Sequence, residues 1–299
     1  MKKRNLFIAI IISIFLTACS STKVNTDQAN SKSADTAFLN LLTTVKIEMV
    51  QSPAPTTKGK MFSKQFIVSV KNSQTSEPMQ NFSLTISYPV SADENKTENV
   101  RTNSEGTYIF DAPVCNFAVN GKFLAYANPN SKKQNLIDAA VQSGASADFF
   151  VRSDIPEKGA ILFIYEYDEK NKPARNFYNL ISEFQKYGCK KVGNAPVNDE
   201  SDIGKSIESL YKRNKEIVND EFGYFIGGTV KYVKPIEKNE NGFYCALTAE
   251  IWVVDMTNGK EIYRNSYSCE TTQPKWEKAA SKCKEDLGKI IADDLIYKL

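Results

Sequence analysis

Six cysteines and no histidine set the limits on chemistry in this 299-residue chain. Without imidazole there is no serine–histidine–acid triad, no histidine zinc site and no imidazole general base. The cysteines are Cys19, Cys115, Cys189, Cys245, Cys269 and Cys283. None forms a Cys-x-x-Cys pair, so the spacing supports neither a dithiol redox motif nor a zinc site. "DIGKS" (202–206) ends like a phosphate-binding loop. That loop needs glycine five residues before Gly204, where Asp199 stands, so the stretch reads as a helix start. Adjacent acids at 93–94, 168–169, 199–200 and 220–221 lie in polar stretches and read as solvated surface. "DEKNKPARN" (168–176) lacks the alternating acids of a calcium loop. Trp252 and Tyr232 stand on apolar strands, where they read as packing between sheet and helices, with a binding face on an uncovered side of the sheet as the alternative. The expectation is no catalytic residue, no metal and no cofactor, and a chain that is not an enzyme.

Cys19 has a different setting. Lys2, Lys3 and Arg4 precede an apolar run from Leu6 to Leu16 that only Ser13 interrupts. The run falls short of the roughly 20 apolar residues that span a bilayer, and it reads as a secretory signal. Leu16-Thr17-Ala18-Cys19 resembles the lipobox of bacterial lipoproteins. The resemblance implies cleavage before Cys19 and acylation (palmitate and related chains) of its thiol, which anchors the chain in a membrane. Ser20 rather than aspartate after the cysteine implies the outer membrane, and the expected location is the cell envelope, facing the periplasm. The formal net charge of +3 comes wholly from Lys2, Lys3 and Arg4, since residues 1–18 carry no acid. The mature chain is therefore formally neutral and has no electrostatic footprint for nucleic acid.

The elements that would position any site fall into two groups. After the signal peptide (1–18), residues 19–36 read as a lipidated flexible tether, because Ser20 to Asp35 holds one valine and no other large apolar residue. Residues 37–155 read as an all-β sandwich of seven short strands. Phe66, Val68 and Val70 alternate with Ile67 and Ser69, and Phe82, Leu84, Ile86 and Tyr88 with Ser83, Thr85 and Ser87. "NSQTSEP" (72–78), "SADENKTEN" (91–99) and "NSEG" (103–106) read as breaks between strands. "VRTNSEGTYIFDAP" (100–113) resembles a hairpin of bacterial Ig-like and transthyretin-like modules, which implies an Ig-like domain. "RSDIPEKG" (152–159) is the expected boundary.

Residues 156–299 read as an α/β domain with a mixed sheet, in the order β-α-β-α-β-β-β-α. "AILFIYEY" (160–167) is an apolar strand. Phe177, Leu180, Ile181, Phe184 and Tyr187 recur at helical spacing. A second helix would be capped by Ser201 and bury Ile203, Ile207, Leu210 and Ile217. Strands at 222–235, 243–254 and 260–270 follow, joined by turns at Asn241-Gly242 and Asn258-Gly259. The final helix, 275–298, would bury Trp276, Ala280, Cys283, Leu287, Ile291 and Leu295.

This order, with "GYFIGGTVKYV" (223–233) and "VVDMTNGKEIYRNS" (253–266), resembles the periplasmic domain shared by curli-secretion lipoproteins, penicillin-binding-protein activator lipoproteins and flagellar assembly relatives. The matching positions are Tyr224, Ile226, Gly228 and Val230; Val254, Asp255, Asn258, Gly259 and Glu261; and Ala279, Ala280, Leu287 and Leu295. The chain departs from that pattern in three ways. "AILFIYEY" lacks the usual proline. The α/β half has no room for membrane-spanning hairpins. A β domain stands where activators carry a proline-rich arm. The resemblance implies an accessory or adaptor lipoprotein that binds another envelope protein, such as a penicillin-binding protein or a secretion component, and not a curli-type pore. An enzyme acting on cell-wall or surface polymer and a self-assembling structural subunit are the alternatives.

An exported compartment permits disulfides. If the last hairpin closes at Val254 and Lys260, Cys245 lies opposite Cys269, Leu247 opposite Tyr267 and Ile251 opposite Tyr263. Cys245–Cys269 is then the expected bridge, and Cys283, on the buried stripe of the last helix, is the competing partner.

Overall fold

The computed structural model describes residues 26–299, with side chains from residue 33. The signal segment, Cys19 and the start of the expected tether lie outside the described residues. Among the described residues, no helix is long and apolar enough to cross a membrane.

The first element corrects the tether. Helix α1 (Thr26–Thr44) covers its second half. Phe38, Leu41 and Leu42 pack against the core of the following domain and hold the helix at its C-terminal end. Once a turn is fixed in this way, propagation adds one hydrogen bond per residue ordered. Composition over residues 20–35 alone does not register that anchor.

The N-terminal domain contains β1 (Val45–Gln51), β2 (Thr56–Thr57), β3 (Phe66–Asn72), β4 (Ser83–Pro89), β5 (Asn95–Arg101), β6 (Thr107–Phe110), β7 (Val119–Ala127), α2 (Gln134–Gln142) and β8 (Ala145–Arg152). One sheet has the order β1-β3-β6 and the other β2-β8-β7-β4-β5. Their inner faces share one core that includes Phe66, Val68, Leu84, Ile86, Phe123 and Phe149. The Phe66 ring stacks on Phe123 at 4.9 Å and on Phe149 at 5.6 Å. Strand β5 occupies most of the stretch read as a break at 91–99 and pairs with β4 from Ser83↔Arg101 to Pro89↔Asn95. It is a polar edge strand, and edges of that kind lack the apolar face that periodicity detects.

The C-terminal domain contains α3 (Ile155–Lys158), β9 (Ala160–Tyr167), β10 (Pro173–Asn176), α4 (Asn179–Lys186), β11 (Val192–Asn194), α5 (Ile207–Val218), β12 (Tyr224–Tyr232), β13 (Glu237–Asn239), β14 (Gly242–Asp255), β15 (Glu261–Gln273) and α6 (Trp276–Lys298). The sheet runs β10-β9-β12-β14-β13, with β11 added to β9 and β15 to β14. Strands β9 and β12 are parallel, whereas β12, β14 and β15 are antiparallel. Helices α4 and α6 bury Leu180, Phe184, Leu287 and Ile291 on one face. Helix α5 covers part of the other face through Leu210 and Val218.

Three sequence expectations shift here. The cap of α5 is Ser206, whose side chain accepts from the Ser209 N–H at 3.2 Å, and not Ser201. Residues 200–202 instead form a short 3-10 turn, where buried Asp202 pairs with Lys205 and Arg213. Ile217 is 57% exposed and Trp276 41%, so neither belongs to the buried stripe of its helix. In α6 the apolar positions Cys283, Leu287, Ile291 and Leu295 carry the contact, four residues apart.

The two domains touch along α6. The Ser153 N–H donates to the Ile296 carbonyl at 2.6 Å, and the Phe150 and Tyr297 rings lie 5.4 Å apart.

Candidate functional site: strand β15 and the cleft beside it

The β14–β15 hairpin is set by its turn. The Asp255 N–H donates to the Lys260 carbonyl at 2.9 Å, so the loop is 256–259. Asp255 Oδ1 accepts from the Thr257 N–H at 2.7 Å, and Gly259 takes the positive φ of 73° that closes the turn. A bulge follows, since Val254 pairs with Glu261 but Val253 with Tyr263. The shorter loop and the bulge each move the register by one residue. Cys245 therefore faces Thr271 and Leu247 faces Cys269, and the expected direct opposition of Cys245 and Cys269 does not occur. Cys115, Cys189, Cys245, Cys269 and Cys283 are all free thiols.

Strand β15 has three distinct sides. Tyr263, Tyr267 and Cys269 pack toward α6. Arg264, Ser266, Ser268 and Glu270 are exposed on the opposite side, next to exposed Thr248 and Glu250 of β14. Its outer edge has no neighbouring strand among the described residues. An edge of this length presents unpaired main-chain donors and acceptors, which can template a further strand.

The α6 side opens into a cleft of about 630 Å³ between the two domains, lined by Asp93 and Asn120 from the N-terminal domain and by Tyr263, Asn265, Tyr267 and Asp294 from the C-terminal one. Asp294 is its centre. Tyr267 donates to Asp294 Oδ2 at 2.7 Å, Tyr263 donates to the same oxygen, and Asn265 Nδ2 approaches it at 3.3 Å. Lys298 pairs with Asp294 Oδ1 at 2.6 Å. Burial works against ionisation of Asp294, but the Lys298 ammonium and the two tyrosine hydroxyls outweigh it and hold the carboxyl below its ordinary value. Burial, followed by bonds within the cluster, pushes both tyrosines up, so they are donors at neutral pH.

A carboxyl lowered by folding stabilises the protein fully above its unfolded value and loses that contribution as pH falls through the folded one. Stability is therefore expected to fall with acidification below about 3.8, the ordinary aspartate value. Asp294→Asn should make that acid limb shallower in urea titrations at a series of pH values. An unchanged limb would mean that the cluster does not carry the linkage.

Trp252 and Tyr232 are packing residues. Trp252 meets Phe225 edge-on at 5.0 Å within the core under α5, and Tyr232 lies against the core under α6. The Asp294 cluster was not anticipated. Tyr263 and Tyr267 share a face by their spacing, but Asp294 is brought to them by the fold.

The comparisons with known proteins bear on this same half. Residues 159–296 match the family model of the TP0693-like lipoprotein, C-terminal domain. The matched domain runs from β9 to the last turns of α6, so it contains β15 and Asp294. No curated protein matches the chain significantly. Among solved structures, the PelC dodecamer from Paraburkholderia phytofirmans is 14% identical over 47% of this chain and 87% of that one, with a TM-score of 0.31. Lipoprotein GNA1162 from Neisseria meningitidis is 15% identical over 44% of this chain and 97% of that one, with a TM-score of 0.27. The hypothetical protein CT253 from Chlamydia trachomatis is 8% identical over 46% of this chain and 93% of that one, with a TM-score of 0.30. Likenesses at these TM-scores establish nothing about assembly or activity here. The family match supports a lipoprotein of the cell envelope.

Proposed function

We propose that this chain is a lipid-anchored accessory protein of the outer membrane, facing the periplasm, and that its matched domain binds an extended, basic segment of another envelope protein along β15. The carrying observation is the free outer edge of β15, a 13-residue strand. Strand addition draws affinity from main-chain hydrogen bonds and specificity from alternating side chains. Glu250 and Glu270 outnumber Arg264 on the exposed side, and Asp93 lines the cleft on the other, which favours a basic segment. The acyl group on Cys19 holds the chain at the membrane, and the N-terminal sandwich, read as Ig-like, holds the binding domain away from it. The likeness to penicillin-binding-protein activators and curli-secretion lipoproteins points to the same accessory role.

The carboxyls of Asp154, Asp202 and Asp294 are all displaced downward. A general acid at neutral pH needs displacement upward, so none of these three groups is poised as one.

The test compares affinity capture from solubilised envelopes by the tagged wild type and by Ser266→Lys/Ser268→Lys. Both positions are exposed, so the circular dichroism should not change. Recovery of the partner should fall at least tenfold, the size expected when like charge faces a binding strand (about 1.4 kcal/mol). Equal recovery by both proteins would refute binding along β15.

A further inference from the structure

Three of the free thiols converge where β14, β15 and α6 meet. Cys283 Sγ lies 3.3 Å from the Cys269 carbonyl oxygen and 3.6 Å from that of Cys245. The Cys283 thiol therefore sits against both strands at the positions that carry the other two cysteines. Among the described residues, no group of three or more cysteines, aspartates, glutamates or histidines is arranged to hold a metal. What two adjacent thiols in an exported protein can do is pair.

The register decides which two. Cys245 faces Thr271, so Cys269 is its diagonal neighbour. Diagonal positions are separated by roughly 7–8 Å, at or past the roughly 7 Å beyond which a bridge requires backbone movement. Cys283 approaches both from the helix above. Of its two partners, Cys245 is wholly buried, whereas Cys269 is partly exposed. An external oxidant can reach only the latter without opening the domain.

We propose that Cys269 and Cys283 form a disulfide, with Cys269 as the point of entry and Cys283 as the resolving thiol. The oxidant is a disulfide, carried in the envelope by a thiol oxidoreductase. The Cys269 thiolate attacks one sulfur of that disulfide and expels the other as a thiol, leaving a mixed disulfide. The Cys283 sulfur then attacks Cys269, and the second oxidant thiol leaves with the remaining proton. Two protein thiols lose two electrons and two protons, and the oxidant disulfide becomes two thiols. The bridge ties β15 to α6, the two elements that carry Tyr263, Tyr267 and Asp294.

Burial pushes the Cys269 thiol up to about 12. Only the thiolate attacks, so bridging should be slow near neutrality and should quicken about tenfold per pH unit as the thiolate fraction rises.

The inference rests on export, not on the adaptor reading, and purified protein tests it separately. The full-length lipoprotein, extracted in detergent and mildly reduced, is incubated with oxidised glutathione. Free thiols are then blocked and the peptides mapped without reduction. A linked peptide containing Cys269 and Cys283 is expected in the wild type and in Cys245→Ala, with a higher urea midpoint than the reduced form. It should be absent from Cys269→Ser, a partly exposed substitution that leaves the buried pair in place. Free thiol at both Cys269 and Cys283 after oxidation, or a link through Cys245 in the wild type, would overturn the proposal.

Discussion

Replacing Gly227 by alanine is expected to lower the stability of the C-terminal domain by about 3 kcal/mol, the upper part of the range for an overpacked core. A Cβ at that position would lie 1.9 Å from Trp252 Cζ2 and 2.2 Å from Cη2. The indole is 8% exposed and is held by Phe163, Phe225 and Leu210 in the core under α5. It therefore has little room to swing away, and the β12–β14 pairing that sets Gly227 opposite Trp252 must distort. Urea unfolding measures the loss. Gly227→Ala/Trp252→Leu should recover part of it, because the smaller side chain vacates the clash. A single variant within 0.5 kcal/mol of wild type, the range of an ordinary surface change, would refute this account of the sheet packing.

Asp154→Ala is expected to cost about 2 kcal/mol and to loosen the two domains from each other. Asp154 accepts from Tyr224, lies 2.8 Å from the Lys158 ammonium and 3.3 Å from that of Lys58. Lys58 comes from the N-terminal domain and also donates to the Leu299 carbonyl at 2.9 Å. The Asp154 side chain is 14% exposed. Removing one partner from a cluster this buried leaves the others without compensation, which costs about 1–3 kcal/mol. Burial disfavours the Asp154 carboxylate, but Lys158, Tyr224 and Lys58 outweigh it and lower its pKa. Its contribution is thus complete above the unfolded value of 3.8 and disappears as pH falls through the lower folded one. Calorimetry should show one transition broadening toward two in the variant at neutral pH. A sharp, unshifted transition would mean that this junction does not couple the domains.

How much of this was legible beforehand follows from the range of each signal. The apolar strand at 160–167, the alternation at 66–70 and the stripe of α6 are local patterns, and each maps onto an observed element. Strand β5 was missed because its partner, not its own sequence, makes it a strand. The β14–β15 register was wrong by two residues, and the reason is instructive. A slip of one exposes every buried side chain, but a slip of two preserves the faces. Leu247 and Ile251 stay on the apolar side in either register, so the hydrophobic pattern does not distinguish them. Only the loop length and the bulge at Val253–Val254 do. The Asp294 cluster joins residues about thirty positions apart, a placement that spacing alone does not encode.

Binding along β15 is the central claim, and crosslinking in intact envelopes tests it most directly. A photoreactive amino acid is placed in turn at Ser266, Ser268 and, as a control on the N-terminal domain, Thr97, all of them exposed. Irradiation should give one discrete adduct to another envelope protein from Ser266 and Ser268 and none from Thr97. No adduct at the β15 positions, adducts only to a second copy of this chain, or the same adduct from Thr97 would contradict the account.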